Sequence, residues 1–148
     1  MDDSYYMRQA LTMASQAADA GEVPVGAVVV LEGVILGCGF NRPIALHDPS
    51  SHAEIMALRE AAKQVGNYRL LNATLYVTLE PCMMCIGAMV HARIQRLVFG
   101  ACDPKTGAVQ SVAQLLQLPH LNHKISVTSG VMAEQCGEIL RQFFKSRR

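Results

Sequence analysis

Two short segments of this chain carry residue types that can do chemistry together. One is His52-Ala53-Glu54; after a gap of 26 residues comes the other, Pro81-Cys82-Met83-Met84-Cys85. One imidazole and two thiolates make a Cys2His donor set, and three protein ligands leave the fourth position of a tetrahedral zinc ion open. That arrangement suits a catalytic rather than a structural site. Zinc lowers the pKa of a water in that position to about 7, so a nucleophile is available at neutral pH. Cys38, Cys102 and Cys136 have no partner at ligand spacing, so no fourth protein ligand offers itself. Glu54 follows His52 too closely to be an independent ligand and is better placed to move protons beside the open position.

Each of these residues also has a plainer role. Ser51-x-x-Glu54 fits a helix capping box, in which Glu54 would only satisfy backbone donors. A lone histidine is more often structural than ligating, and two cysteines can be small buried hydrophobes. Taken singly, each plain reading is the better one. Jointly they fail, because five specified residues in this pattern arise by chance about once in ten thousand chains of such composition. A dithiol redox pair is disfavoured by the Met83-Met84 filling and by an otherwise unexplained His-x-Glu.

The elements that must position these residues alternate. Met7, Ala10, Leu11, Ala14, Ala17 and Ala18 recur at helical spacing, with Gly21 as a stop. Residues 25–31 and 34–39 read as strands joined by the two-residue Glu32-Gly33 turn. Residues 41–51, with two prolines, read as a loop, and residues 52–65 as a helix stopped by Gly66. A buried strand at 74–79 leads into a helix at 82–91 that is apolar on nearly every face and hence central. Pro81 suits helix entry, and Cys82 and Cys85 then share one face of a first turn whose positive dipole end favours thiolates. Strand 97–99, a short helix capped by Ser111 and ending near 118, strand 125–128 and helix 131–145 complete the order. This predicts an α/β fold, a three-layer α/β/α sandwich with a mixed five-stranded sheet: an antiparallel opening hairpin, then parallel strands.

The 148 residues are 51% hydrophobic and 17% charged, which fits one compact domain spanning 1–148 and excludes a disordered chain. The richest apolar stretch, 23–31, is broken by Pro24 and Gly26, so no membrane span is expected. The acidic Met1-Asp2-Asp3 start resembles no targeting peptide, and five cysteines make no disulfide framework, so a cytoplasmic location is expected. The net charge is only +1, yet residues 1–40 carry −4 and residues 41–148 carry +5. The excess is sharpest at Arg141, Lys145, Arg147 and Arg148, which is either a polyanion patch or a solvated helix end.

The His-x-Glu and Pro-Cys-x-x-Cys pair resembles the signature of the zinc-dependent cytidine and adenosine deaminase superfamily. The segments beginning at Glu22, Asn41, His47, His52, Leu75, Asp103 and Asn122 further resemble its bacterial tRNA adenosine deaminases, over residues 4–148. The resemblance implies a cytidine deaminase-like fold and conversion of the wobble adenosine, position 34, of a tRNA anticodon to inosine. One zinc would be held by His52, Cys82 and Cys85, with Glu54 catalytic. It also implies that Asn41 and the Ala53 backbone N–H meet the target nucleoside, that Asp103 and Asn122 contact the anticodon stem-loop, and that the protein is a homodimer. Phe143 and Phe144, beside the basic tail, fit stacking on RNA as well as core packing, and His120 and His123 either face RNA or cap their loop. The residues alone imply only hydrolytic loss of an amine from a heteroaromatic ring. A deaminase of free bases or nucleotides, and a zinc module that binds RNA without chemistry, stand as rivals.

Overall fold

The computed structural model describes residues 1–147; Arg148 lies outside the described residues. Helix α1 (Asp3–Asp19) is capped by the Asp2 carboxylate, which accepts the Tyr5 N–H. Strands β1 (Gly26–Leu31) and β2 (Val34–Phe40) form the expected hairpin. Both turn residues, Glu32 and Gly33, take positive φ (51° and 77°), the pair of conformations a two-residue turn between right-twisted strands requires. After helix α2 (Pro43–Leu46) come α3 (Ala53–Val65), β3 (Thr74–Leu79), α4 (Met83–Ala92), β4 (Arg96–Ala101), β5 (Ser126–Thr128) and α5 (Ala133–Ser146).

The sheet order is β2-β1-β3-β4-β5, with β1 antiparallel to both β2 and β3 and the pairs β3/β4 and β4/β5 parallel. Alternate strand residues feed two cores. Ala27, Val29, Leu75, Val77, Leu97 and Phe99 pack against α3 and α4; Val28, Val30, Tyr76 and Val98 pack against α1 and α5. The three-layer sandwich is therefore as expected, with the two terminal helices together on the face opposite α4.

One end of the sheet collects the functional loops. The registers Gly26↔Phe40, Ala27↔Val77 and Leu79↔Ala101 bring the start of β1 and the ends of β2, β3 and β4 to the same edge. Gly39 lets α3 approach that edge: a Cβ there would lie 2.4 Å from the Ala53 carbonyl oxygen and 2.5 Å from the Ala57 nitrogen. The first turn of α3 thus lies directly on the sheet.

Two local expectations are corrected. The 41–51 loop contains the one-turn helix α2, begun by Pro43 and held by the buried Glu22 carboxylate, which accepts the Ile44 and Ala45 N–H groups at 3.1 and 2.8 Å. No helix starts at Ser111. Its hydroxyl and N–H turn to Glu80 instead, and only a 3-10 turn, Leu115–Gln117, forms nearby.

Candidate active site

His52 and Cys82 are the N-cap residues of α3 and α4. Their carbonyls accept the first helical hydrogen bonds, from Met56 and Ile86, while neither side chain caps its helix. Both side chains are thereby free to turn towards each other. Cys85, one turn into α4, is buried. His52 Nδ1 lies 3.6 Å from each sulfur, and the three ligand atoms all fall within 4.8 Å of one another. The N···S edge of a tetrahedron built on Zn–N and Zn–S bonds of standard length is roughly 3.6 Å. The donor set and its spacing therefore fit a tetrahedral metal ion with one position left over.

The electrostatics match. The Cys82 thiol is pulled down to about 4, first by the hydrogen bond with Cys85 and further by His52. The Cys85 thiol is pushed well above its usual range, first by that same bond and then by burial. His52 is raised chiefly by its bond with Cys82. One thiolate is thus already favoured, and a dication would draw the proton from the second.

Glu54 occupies the second position of α3 and is buried. Burial is the main cause pushing its carboxyl up to about 7, with the Cys82 charge adding to the rise. A carboxyl poised there can take and return a proton at neutral pH. The capping box is absent, since His52 and not Ser51 is the N-cap and the buried Ser51 hydroxyl has no hydrogen-bond partner among the described residues.

Other candidates surround the cluster at different distances along the rim. Asn41 is beside it: its Oδ1 accepts the Ala53 N–H at 2.8 Å. That N–H, expected to be open to a base, is instead spent on ordering the first turn of α3. Asp103 caps its own turn, accepting from the Lys105 and Thr106 N–H groups and the Thr106 hydroxyl. It lines a groove of about 1000 Å³ between that turn and α5, shared with Lys105, Arg141, Phe144 and Lys145. Phe144 is exposed there, whereas Phe143 stacks under the Arg147 guanidinium, 4.3 Å from its ring centre. Arg141 is paired with Glu134 and Glu138, so part of the basic tail is neutralised within α5.

Asn122 sits on the other side, in a depression with Met83, His120 and Leu121 over α4. His123 anchors its loop through Nε2 to the Ile94 carbonyl at 2.6 Å, while His120 is exposed. Sequence reasoning missed Glu22 and Glu80, two buried carboxylates that hold the loops on either side of the cluster. The available signal was an acid set against Pro at the edge of a buried strand, in Glu80-Pro81 and again, two residues apart, in Glu22-Val23-Pro24.

Comparison with known proteins agrees with this geometry. The family model for MafB19-like deaminases matches residues 1–148. A tRNA-specific adenosine deaminase of Haemophilus influenzae is 54% identical over 147 residues, covering 99% of this chain and 85% of that protein. One from Bacillus subtilis is 45% identical over 146 residues, covering 99% and 91%. A solved structure from a study of A-to-I editing by tRNA:A34 deaminases at the wobble position superposes with a TM-score of 0.90 at 44% identity, covering 93% of this chain and 99% of that one. A guanine deaminase from Nitrosomonas europaea, at 23% identity and a TM-score of 0.82, shares the fold.

Proposed function

The chain belongs to the MafB19-like deaminase family, and on that premise we propose that it hydrolyses adenosine to inosine at the wobble position, 34, of tRNA, releasing ammonia. The observation that carries this reading is the Cys2His cluster with the buried, near-neutral Glu54 beside it, on a chain 54% identical to a tRNA-specific adenosine deaminase. The ion is zinc, held by His52, Cys82 and Cys85. When bound, it supplies Lewis acidity that makes a water nucleophile available near neutral pH.

The chain's own residues do the rest. Glu54 accepts the water proton, passes it to the ring nitrogen adjoining C6, and a further proton reaches the departing amine, so that adenosine and water become inosine and ammonia. With Oδ1 committed to Ala53, Asn41 offers its carboxamide N–H groups to the target nucleoside. Ala53, itself buried, forms the floor beside it. Asp103 shapes the turn that meets the anticodon stem-loop, and Phe144 with Lys145 supplies an aromatic face and a cation on the same groove. Asn122 contacts the loop from the α4 side.

The protein acts as a homodimer, a single domain per chain, in the cytoplasm where tRNA is processed. Among the described residues no helix is long and apolar enough to cross a membrane. Ammonia release measured in parallel on an anticodon stem-loop, adenosine, cytidine and guanine tests the reading. Turnover of the stem-loop alone is expected, and turnover of a free base in preference to RNA would overturn it.

A further inference from the structure

Glu80 closes β3 two residues before Cys82 and is only 2% exposed. A buried carboxylate is costly unless its lone pairs are matched. Here they are matched without any cation. Oε1 accepts the Asp103 N–H at 3.0 Å and the Ser111 hydroxyl; Oε2 accepts the N–H groups of Val109, Gln110 and Ser111 at 3.1, 2.8 and 3.0 Å. Both ends of the loop 102–111 are thus gathered onto one side chain. The loop has no strand or helix of its own to fix it, and its other tie to this corner is the Ala108 N–H on the Pro81 carbonyl at 2.9 Å. Gly107 makes the close approach possible, since a Cβ there would come within 2.4 Å of the Glu80 carboxyl group. The same loop supplies Asp103, Lys105 and Thr106 to one wall of the groove facing α5.

We propose that Glu80 is a positioning residue for RNA: by gathering the 102–111 loop against the Pro81-Cys82 turn, it fixes the wall of the groove that faces α5 and so sets affinity for the polynucleotide. This rests on the functional reading above. The four amides are donors only, so a carboxamide in place of the carboxylate sets its N–H2 group against at least one of them, the Asp103 N–H even if the Ser111 hydroxyl turns to accept, and the loop must open there. Opening it moves the groove wall while leaving Glu54 and Cys85 on α3 and α4 and His52 and Cys82 at the N-caps of those helices.

Glu80→Gln is therefore expected to keep one zinc per chain and to raise KM for an anticodon stem-loop about tenfold, with kcat within about twofold. Amide exchange at residues 103 and 109–111 should accelerate together. Should Glu80→Gln fail to fold, Ser111→Ala removes one donor and is expected to raise KM about threefold with the same kcat. Unchanged KM while those amides exchange faster, or a fall in kcat or zinc content with KM unchanged, would overturn the proposal. A wild-type protein inert on the stem-loop overturns the functional reading, and the proposal with it.

Discussion

A carboxyl group at Glu54 has two possible uses, and its surroundings bear on which. A capping residue would sit in hydrogen-bond reach of helix N–H groups and stay ionised. Glu54 has its own N–H in reach, which favours the ionised form, yet burial outweighs it and lifts the carboxyl to about 7, while the Ser51 hydroxyl, which would complete the capping box, does not cap α3. Glu54→Ala is expected to keep fold and zinc and to lose 10²-fold or more in kcat, about the usual worth of a general acid–base group. A variant that loses about 1 kcal/mol of stability and keeps turnover would show a cap instead. For the metal, one zinc per chain is expected, lost in Cys85→Ala. Zinc retained in full by that variant would remove Cys85 from the ligand set. The clustering of His52, Cys82 and Cys85 was legible because their spacing is local: each motif fits within a single helix entry. Glu22 and Glu80 were not, because their partners lie more than 20 residues away and a neighbouring proline is the one local mark either carries.

Elements matter to the site through how closely they approach. Gly37 and Gly39 both face α3 from β2, but at different heights. A methyl group at Gly39 would meet Ala53 and Ala57, the turn next to His52; one at Gly37 would meet Ala57 and Ala61 further along. Either alanine overpacks the contact and should cost about 1–3 kcal/mol. Gly39→Ala alone should also weaken zinc binding, since it lifts His52 away from the two sulfurs; equal zinc affinity in the two variants would break this link. The hairpin and the helix periods were readable because turn chemistry and apolar spacing act locally. Helix α2 was hidden by its two-proline setting and a cap supplied by Glu22, and the helix expected at Ser111 was cancelled by Glu80.

The clamp on α1 is a second element-scale test. Asp3 accepts two hydrogen bonds from Arg96 (2.9 and 2.6 Å) and one from Tyr76 (2.8 Å), tying the first turn of α1 to β4 and β3. Arg96 holds the Asp3 carboxyl below its ordinary value of 3.8. A depressed carboxylate stabilises the fold above the unfolded value, and that contribution is lost as pH falls through the folded one. Asp3→Asn should therefore lower stability by about 1 kcal/mol at pH 7, about 3 °C in Tm, and the gap should narrow as pH falls below 3.8 and through the depressed folded value. A gap of the same size at pH 2 would mean that packing, not charge, holds the clamp.

At the scale of the whole molecule, α4 is the helix whose surroundings are incomplete. Cys85, Ile86, Met89 and Ala92 are buried against the sheet, yet Met83 is 71% exposed in the turn that carries Cys82. Both terminal helices lie on the opposite face of the sheet, against Val28, Tyr76 and Val98, so neither can serve as the cover that a monomer would need. The open face of α4 runs along Met83, Gly87 and Val90 to Leu118 and Leu121, a depression of about 380 Å³ that also contains Asn122. A second copy placed there would bury Met83 and bring Asn122 of each chain, proposed above as an RNA contact, to the interface. Sedimentation at micromolar concentration should then give about twice the 16.1 kDa of one chain. Gly87 supplies the decisive variant, because within one chain a Cβ at that position meets no atom within 4 Å. Gly87→Arg should therefore fold and hold zinc as a monomer of about 16 kDa and lose affinity for the stem-loop, whereas an unchanged dimer would place the interface elsewhere.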